Sequence, residues 1–179
     1  MAEYLAMAGH LVVRFNFLYR QAGLERADAP EVLLACLEHV YQDSVARWSL
    51  DPARLVVGGK SLGARTAARA VGQGLQAAGL FYLGFPLHPP GRPELSRSEL
   101  LRDVEPVPQL FLAGTRDPLC PLDRLGEVIN NLKSPVQLHV VKGADHSFAL
   151  PASDPRPAEE VHQTMAEVIG DWLEKIIPV

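Results

Sequence analysis

The chain is predicted to fold as a doubly wound, mostly parallel α/β sheet, and three observations carry that prediction. Short apolar runs alternate with longer stretches of helical periodicity along most of its length. The apolar runs lack the polar–apolar alternation of a half-exposed strand, so they suit parallel strands covered on both faces. No shift in composition divides the 179 residues, which read as a single domain over 1–179, and a 47% hydrophobic content is enough for a sizeable core.

Residues 2–8 have the pattern of the last turns of a helix closed by Gly9, and residues 10–17 that of a strand. Asp28 and Glu31 bracket Pro30 as a capping box. Leu33, Cys36, Leu37, Val40, Tyr41 and Trp48 then recur at helical spacing, which predicts a helix ending near Leu50. After the Asp51-Pro52 turn, residues 54–58 read as a strand and 62–78 as a helix. Ala64, Ala67, Ala68, Ala70 and Val71 give that helix a small apolar face suited to close packing on a sheet. Strands at 80–85, 109–114 and 136–141 and helices at 122–132 and 159–177 complete the alternation. Residues 86–108 form a Pro-rich connection with at most a short helix near 98–104. Connections of that length inside a compact domain are usually functional or mobile, and this one is read as a modest lid.

Composition excludes several function classes. A formal net charge of −4 with no Lys/Arg run argues against nucleic acid, because binding phosphates needs clustered cations. Cys36 and Cys120, the two cysteines, give no disulfide framework, so a reducing cytoplasm is expected. The longest apolar stretch, 77–87, is too short to span a bilayer and is broken by Gly79, Gly84 and Pro86. Glu3 near the start, with no basic region, argues against a signal peptide. The scattered histidines lack ligand spacing, so neither metal nor cofactor is expected. A homo-oligomer stays open.

The most informative segment is Leu55-Val56-Val57-Gly58-Gly59-Lys60-Ser61-Leu62-Gly63, an apolar strand running into Gly-x-Ser-x-Gly and then into a small-residue helix. This is the pattern of a nucleophile elbow: a sharp strand-to-helix turn that forces the serine into a strained conformation and exposes its hydroxyl at the sheet edge. Gly59 and Gly63 are expected to leave room for the neighbouring backbone. Two other readings compete: a glycine-rich turn with Ser61 as a helix cap, and the tail of a phosphate-binding loop at Gly59-Lys60-Ser61. The second needs a glycine at the position held by Arg54.

A serine hydroxyl attacks only when a base takes its proton and a third group orients the base. Asp117, in Gly114-Thr115-Arg116-Asp117-Pro118, follows one buried strand; His146, in Gly143-Ala144-Asp145-His146-Ser147-Phe148, follows the last. Both lie at carboxyl ends of predicted parallel strands, where open α/β sheets place their sites. Separately, such an aspartate often only caps a turn and such a histidine is often only exposed. The order Ser61, Asp117, His146 is what gives them a joint meaning. His39 and His162 fall within helices, His139 mid-strand and His10 before the elbow. Asp145 adjoins His146 and would have to fold back to meet it. Leu62, opening the helix, offers an unpaired backbone N–H to an oxyanion. His88, in Phe85-Pro86-Leu87-His88-Pro89-Pro90, either faces the substrate or lies exposed in the loop. Lys60 and Arg65 either favour an anionic substrate or pair with surface acids. Cys120 reads as a small buried residue.

These blocks, together with Arg14-Phe15-Asn16-Phe17 and Pro86 to Gly91, resemble α/β hydrolases of the dienelactone hydrolase type. That sparsely characterised group includes testis-expressed protein 30 and the hydrolase-like subunit of a histone-acetylating complex. The resemblance spans nearly the whole chain. It implies an α/β-hydrolase fold, Ser61, Asp117 and His146 as the triad, and an ester-type substrate. It also implies that a member can act as a scaffold without catalysis. In one respect the chain departs from the group, in which a strand and a His-Gly-Ala-like loop precede the first helix. Here they are missing, so the fold is expected to be N-terminally truncated and to lack a visible second oxyanion donor. The functional expectation is a serine hydrolase of carboxylesterase type cleaving a small ester, thioester or related acyl bond. A non-catalytic interaction module is the alternative. Nucleotide binding is a third reading, and no stabilisation by ATP is expected.

Overall fold

Four parallel strands in the order β1-β2-β3-β4 form the sheet of the computed structural model: β1 (Val56–Lys60), β2 (Gly79–Leu83), β3 (Gln109–Gly114) and β4 (Val136–Val141). The structure describes residues 1–177, so the last two residues of the predicted 1–179 domain lie outside it. Helices α1 (Ala2–Met7), α2 (Leu18–Gln21), α3 (Pro30–Trp48), α4 (Leu62–Gly72), α5 (Glu99–Arg102), α6 (Leu122–Asn130) and α7 (Ala158–Ile176) complete it. No helix among the described residues is long and apolar enough to cross a membrane.

The sheet is covered on both faces, as continuous apolar strands require. On one face Leu37 of α3, the alanines of α4, Leu101 of α5 and Leu125 of α6 pack with Leu80, Tyr82 and Phe111. On the other, Leu5 of α1 and Val161, Met165, Ile169 and Trp172 of α7 pack with Leu110 and Leu112. Every residue of β3, one of the two inner strands, is buried. At the layer between β2 and β3 the Tyr82 hydroxyl donates to Gln109 Oε1 (3.1 Å), and Gln109 Nε2 donates to the Leu101 carbonyl and Ser134 Oγ (3.2 Å each). A buried glutamine with both ends partnered costs the core little.

Four expectations are corrected. Residues 10–17 are not a strand: they run without ladder partners, since a strand exists only where another backbone lies alongside. The outer edge of β1 is correspondingly free among the described residues. Leu83 O bonds Ser61 N across to β2, so the odd-numbered residues of β1 face β2. The N–H and C=O groups of Val56, Gly58 and Lys60 therefore point outward. The capping box does not form: Ala29 is the N-cap of α3, Pro30 takes the first turn, and Asp28 instead accepts the Tyr19 N–H (3.0 Å). The helix predicted over 62–78 stops at Gly72, with Gly74 at φ +106° turning the chain. The strand predicted over 54–58 lies two residues later, because Pro52–Arg54 form a 3₁₀ turn, and so it runs directly into Ser61.

Candidate active site

Ser61 sits between β1 and α4 at φ 52° and ψ −107°, a conformation that costs a non-glycine residue about 1–3 kcal/mol. The turn is held by the Ser61 N–H on Leu83 O (3.0 Å) and by the Arg65 N–H on Ser61 O (3.2 Å). It is tight enough that a Cβ on Gly59 would stand 2.5 Å from the Gly63 carbonyl carbon. Gly63 is a different case from the one expected. A Cβ there meets nothing within 4 Å, so its role is to be approached rather than to stay bare.

Asp117 and His146 are delivered by the loops after β3 and β4, which are tied to each other. Gly143 N–H donates to Thr115 Oγ1 (2.8 Å) and Arg116 N–H to Ala144 O (2.9 Å), and a Cβ on Gly114 would collide with Ala144 O. Within its own loop Asp117 Oδ1 accepts the Leu119 N–H (2.8 Å), which fixes the carboxylate plane. The Asp145 carboxylate accepts the N–H groups of Ala149 (3.0 Å) and Ser147 (2.8 Å), which hold its own pKa below the usual carboxylate range. Asp145 thus shapes the His146 turn instead of meeting the ring, and buried Phe148 at φ 62° anchors the far side.

The three side chains converge. His146 Nδ1 lies 2.8 Å from Asp117 Oδ2, and His146 Nε2 lies 2.9 Å from Ser61 Oγ. The Asp117 side chain is fully buried, and that of His146 is about a fifth exposed. A carboxylate only accepts, so Nδ1 carries the ring hydrogen and Nε2 is left with a lone pair toward the hydroxyl. This arrangement can take a proton from Ser61 and hold the resulting imidazolium against a desolvated carboxylate.

The remaining sequence-derived positions separate. The Leu62 amide opens α4 with no acceptor among the described residues. Lys60 is exposed at the end of β1 and makes no ion pair among the described residues. His88 is buried, not exposed, with Nδ1 against Pro89 O (2.9 Å), and no hydrogen bond joins it to Ser61, Asp117 or His146. Cys120 is fully buried, and burial, with Asp117 adding to it, pushes its thiol up to about 12. No group of His, Cys, Asp and Glu side chains suited to a metal occurs among the described residues. One position escaped the sequence reading. Gly84, at φ +61° just past β2, lies where a Cβ would stand 3.3 Å from Asp117 Oδ2 and 3.4 Å from His146 Nδ1. Its signal was present: a lone glycine closing an apolar strand marks close backbone approach.

An α/β fold with this strand-to-helix serine defines a class, and the comparisons specify it. Residues 1–174 match the family described as alpha/beta hydrolase domain, and the chain belongs to that family. A serine hydrolase homologue from Coxiella burnetii superposes with a TM-score of 0.62 at 22% identity, over 84% of this chain and 62% of that one. A puromycin hydrolase gives 0.60 at 19%, over 78% and 24%, and a Thermus thermophilus protein 0.60 at 22%, over 87% and 73%. The chain thus spans less than two thirds of the first two. At these identities the likeness is one of fold.

Proposed function

We propose that this protein is a serine hydrolase cleaving a small ester, thioester or related acyl bond through an acyl-enzyme. The observation that carries the reading is the continuous Ser61–His146–Asp117 chain of 2.9 and 2.8 Å contacts. In it Ser61 Oγ attacks the acyl carbonyl as His146 Nε2 takes its proton, Asp117 keeps the ring in the productive tautomer, and the Leu62 N–H receives the developing oxyanion. His146 then returns the proton to the leaving group, and a water activated by the same nitrogen frees the acid. The reading extends to the dienelactone hydrolase–like group within the family, a carboxylesterase-type reaction, a cytoplasmic setting, a small-molecule acyl substrate and no nucleic-acid, membrane or cofactor partner. Residues 86–108, His88 among them, serve with Lys60 as the lid and rim. Hydrolysis of a panel of p-nitrophenyl esters, with Ser61→Ala as control, tests it. Turnover by the variant equal to that of the native protein rejects Ser61 as nucleophile.

A second reading, a non-catalytic interaction module, is favoured by the outer edge of β1, which pairs with no other strand among the described residues. A fluorophosphonate probe separates the two, because only an activated serine is labelled. Failure of folded protein to react selects the module.

A further inference from the structure

Two arginines close enough to act on each other's charge, one of them a helical turn from Ser61, have no assigned partner. Arg65 lies one turn along α4 from the serine, on the same helix face, and helical side chains lean toward the N-terminus, here toward Ser61. Its Nε is buried with no hydrogen-bond partner. Arg97 comes from the lid. Its N–H bonds Leu87 O (2.9 Å), and Leu87 N–H bonds Leu119 O (2.8 Å), so the lid segment carrying Arg97 is pinned to the Asp117 loop. Neither arginine forms an ion pair among the described residues, and Glu99, the acid that most affects Arg97, does not close to contact distance.

Two half-buried like charges with an orphaned donor are unfavourable as they stand, since each loses hydration without gaining a counter-charge. Burial, with the charges of Arg97 and then Arg69 adding to it, pulls the Arg65 guanidinium down to about 10. An anion placed between the two guanidinium forks removes both deficits, and those planar donors match carboxylate and phosphate oxygens. We propose that Arg65 and Arg97 form a subsite for an oxyanion, a carboxylate or phosphate group carried by the substrate, one helical turn from the Ser61 hydroxyl. The inference rests on the hydrolase reading and narrows its substrate to acyl compounds with a second, anionic end.

The test compares kcat/KM for the p-nitrophenyl monoester of succinic acid with that for an uncharged p-nitrophenyl ester of the same chain length. The native protein is expected to prefer the anionic ester at least tenfold. Arg97→Gln erases that preference mainly through KM, and Arg65→Lys, which keeps the charge but loses the fork, reduces it. Arg54→Gln, exposed before the start of β1 at the end opposite Ser61, leaves it in place. No preference in the native protein, or one untouched in both the Arg97 and Arg65 variants, overturns the subsite. Absence of all ester turnover rejects the hydrolase reading and not this one, which calorimetry on the same protein then decides. Binding of succinate or of inorganic phosphate that is lost in Arg97→Gln supports the subsite and tells carboxylate from phosphate; binding of neither overturns it.

Discussion

Replacing Asp117 with Asn changes one charge and almost no volume, and it isolates the role of the buried acid. In the native site Oδ1 accepts the Leu119 N–H at 2.8 Å and Oδ2 accepts the His146 Nδ1–H at 2.8 Å. An asparagine has one oxygen for these two donors. Keeping it on Leu119 turns the NH₂ group toward the ring, which must then present a bare Nδ1 and carry its hydrogen on Nε2, facing Ser61. The base is lost. The opposite flip restores the tautomer but leaves the Leu119 N–H against an NH₂ group at a buried position, at about 1–3 kcal/mol. The inactive flip is thus favoured, and triads of this geometry lose about ten-thousandfold in kcat on that change, equivalent to about 5 kcal/mol of barrier at 1.36 kcal/mol per tenfold. Initial rates on p-nitrophenyl acetate, with circular dichroism to verify the fold, measure it. A folded Asp117→Asn protein retaining more than a tenth of native kcat refutes the reasoning.

Three further outcomes are expected. Gly84→Ala forces a side chain onto φ +61°, costing about 1 kcal/mol, and crowds the Asp117–His146 pair at 3.3–3.4 Å; steady-state kinetics should show kcat down about tenfold with KM little changed. Tyr82→Phe strands Gln109 Oε1 in the core, and thermal unfolding should register a loss of about 1–2 kcal/mol, or about 2–8 °C at this chain length. The Arg156 side chain, then its backbone amide, hold the Asp154 carboxyl down to about 2 from an ordinary 3.8. A depressed carboxyl contributes stability that is present above its unfolded value and lost as pH falls through the folded one. The Tm advantage over Asp154→Asn should therefore be full above about pH 4 and vanish near about pH 2; a constant difference across that range contradicts it.

What the sequence disclosed depended on whether the deciding interactions were local. Residues 109–114 and 136–141 are apolar runs between turn formers, and both strands appear at the predicted limits. Ser61, Asp117 and His146 were legible because each sits at the end of such a run, where a parallel sheet gathers its loops. Residues 10–17 carry strand-like composition too, but a ladder is a property of pairs, and nothing in the segment reveals whether a partner lies beside it. Asp28 looked like a cap because capping is judged by spacing, while the actual acceptor preference was decided by Tyr19, nine residues earlier. Gly84 acquires its meaning only from side chains 33 and 62 positions further along, which meet it through tertiary folding. Arg65 shows the same limit in reverse: its placement next to Ser61 is visible in the sequence, and its missing counter-charge is not.

The backward-turned geometry at position 61 carries an evolutionary asymmetry. Glycine adopts φ 52° without penalty, so Ser61→Gly relaxes the turn and adds thermal margin while abolishing attack. On the proposed hydrolase reading, the serine is thus kept by selection for turnover, against a standing thermodynamic gradient. In any lineage of this fold where chemistry ceases to matter, decay at that codon is energetically downhill.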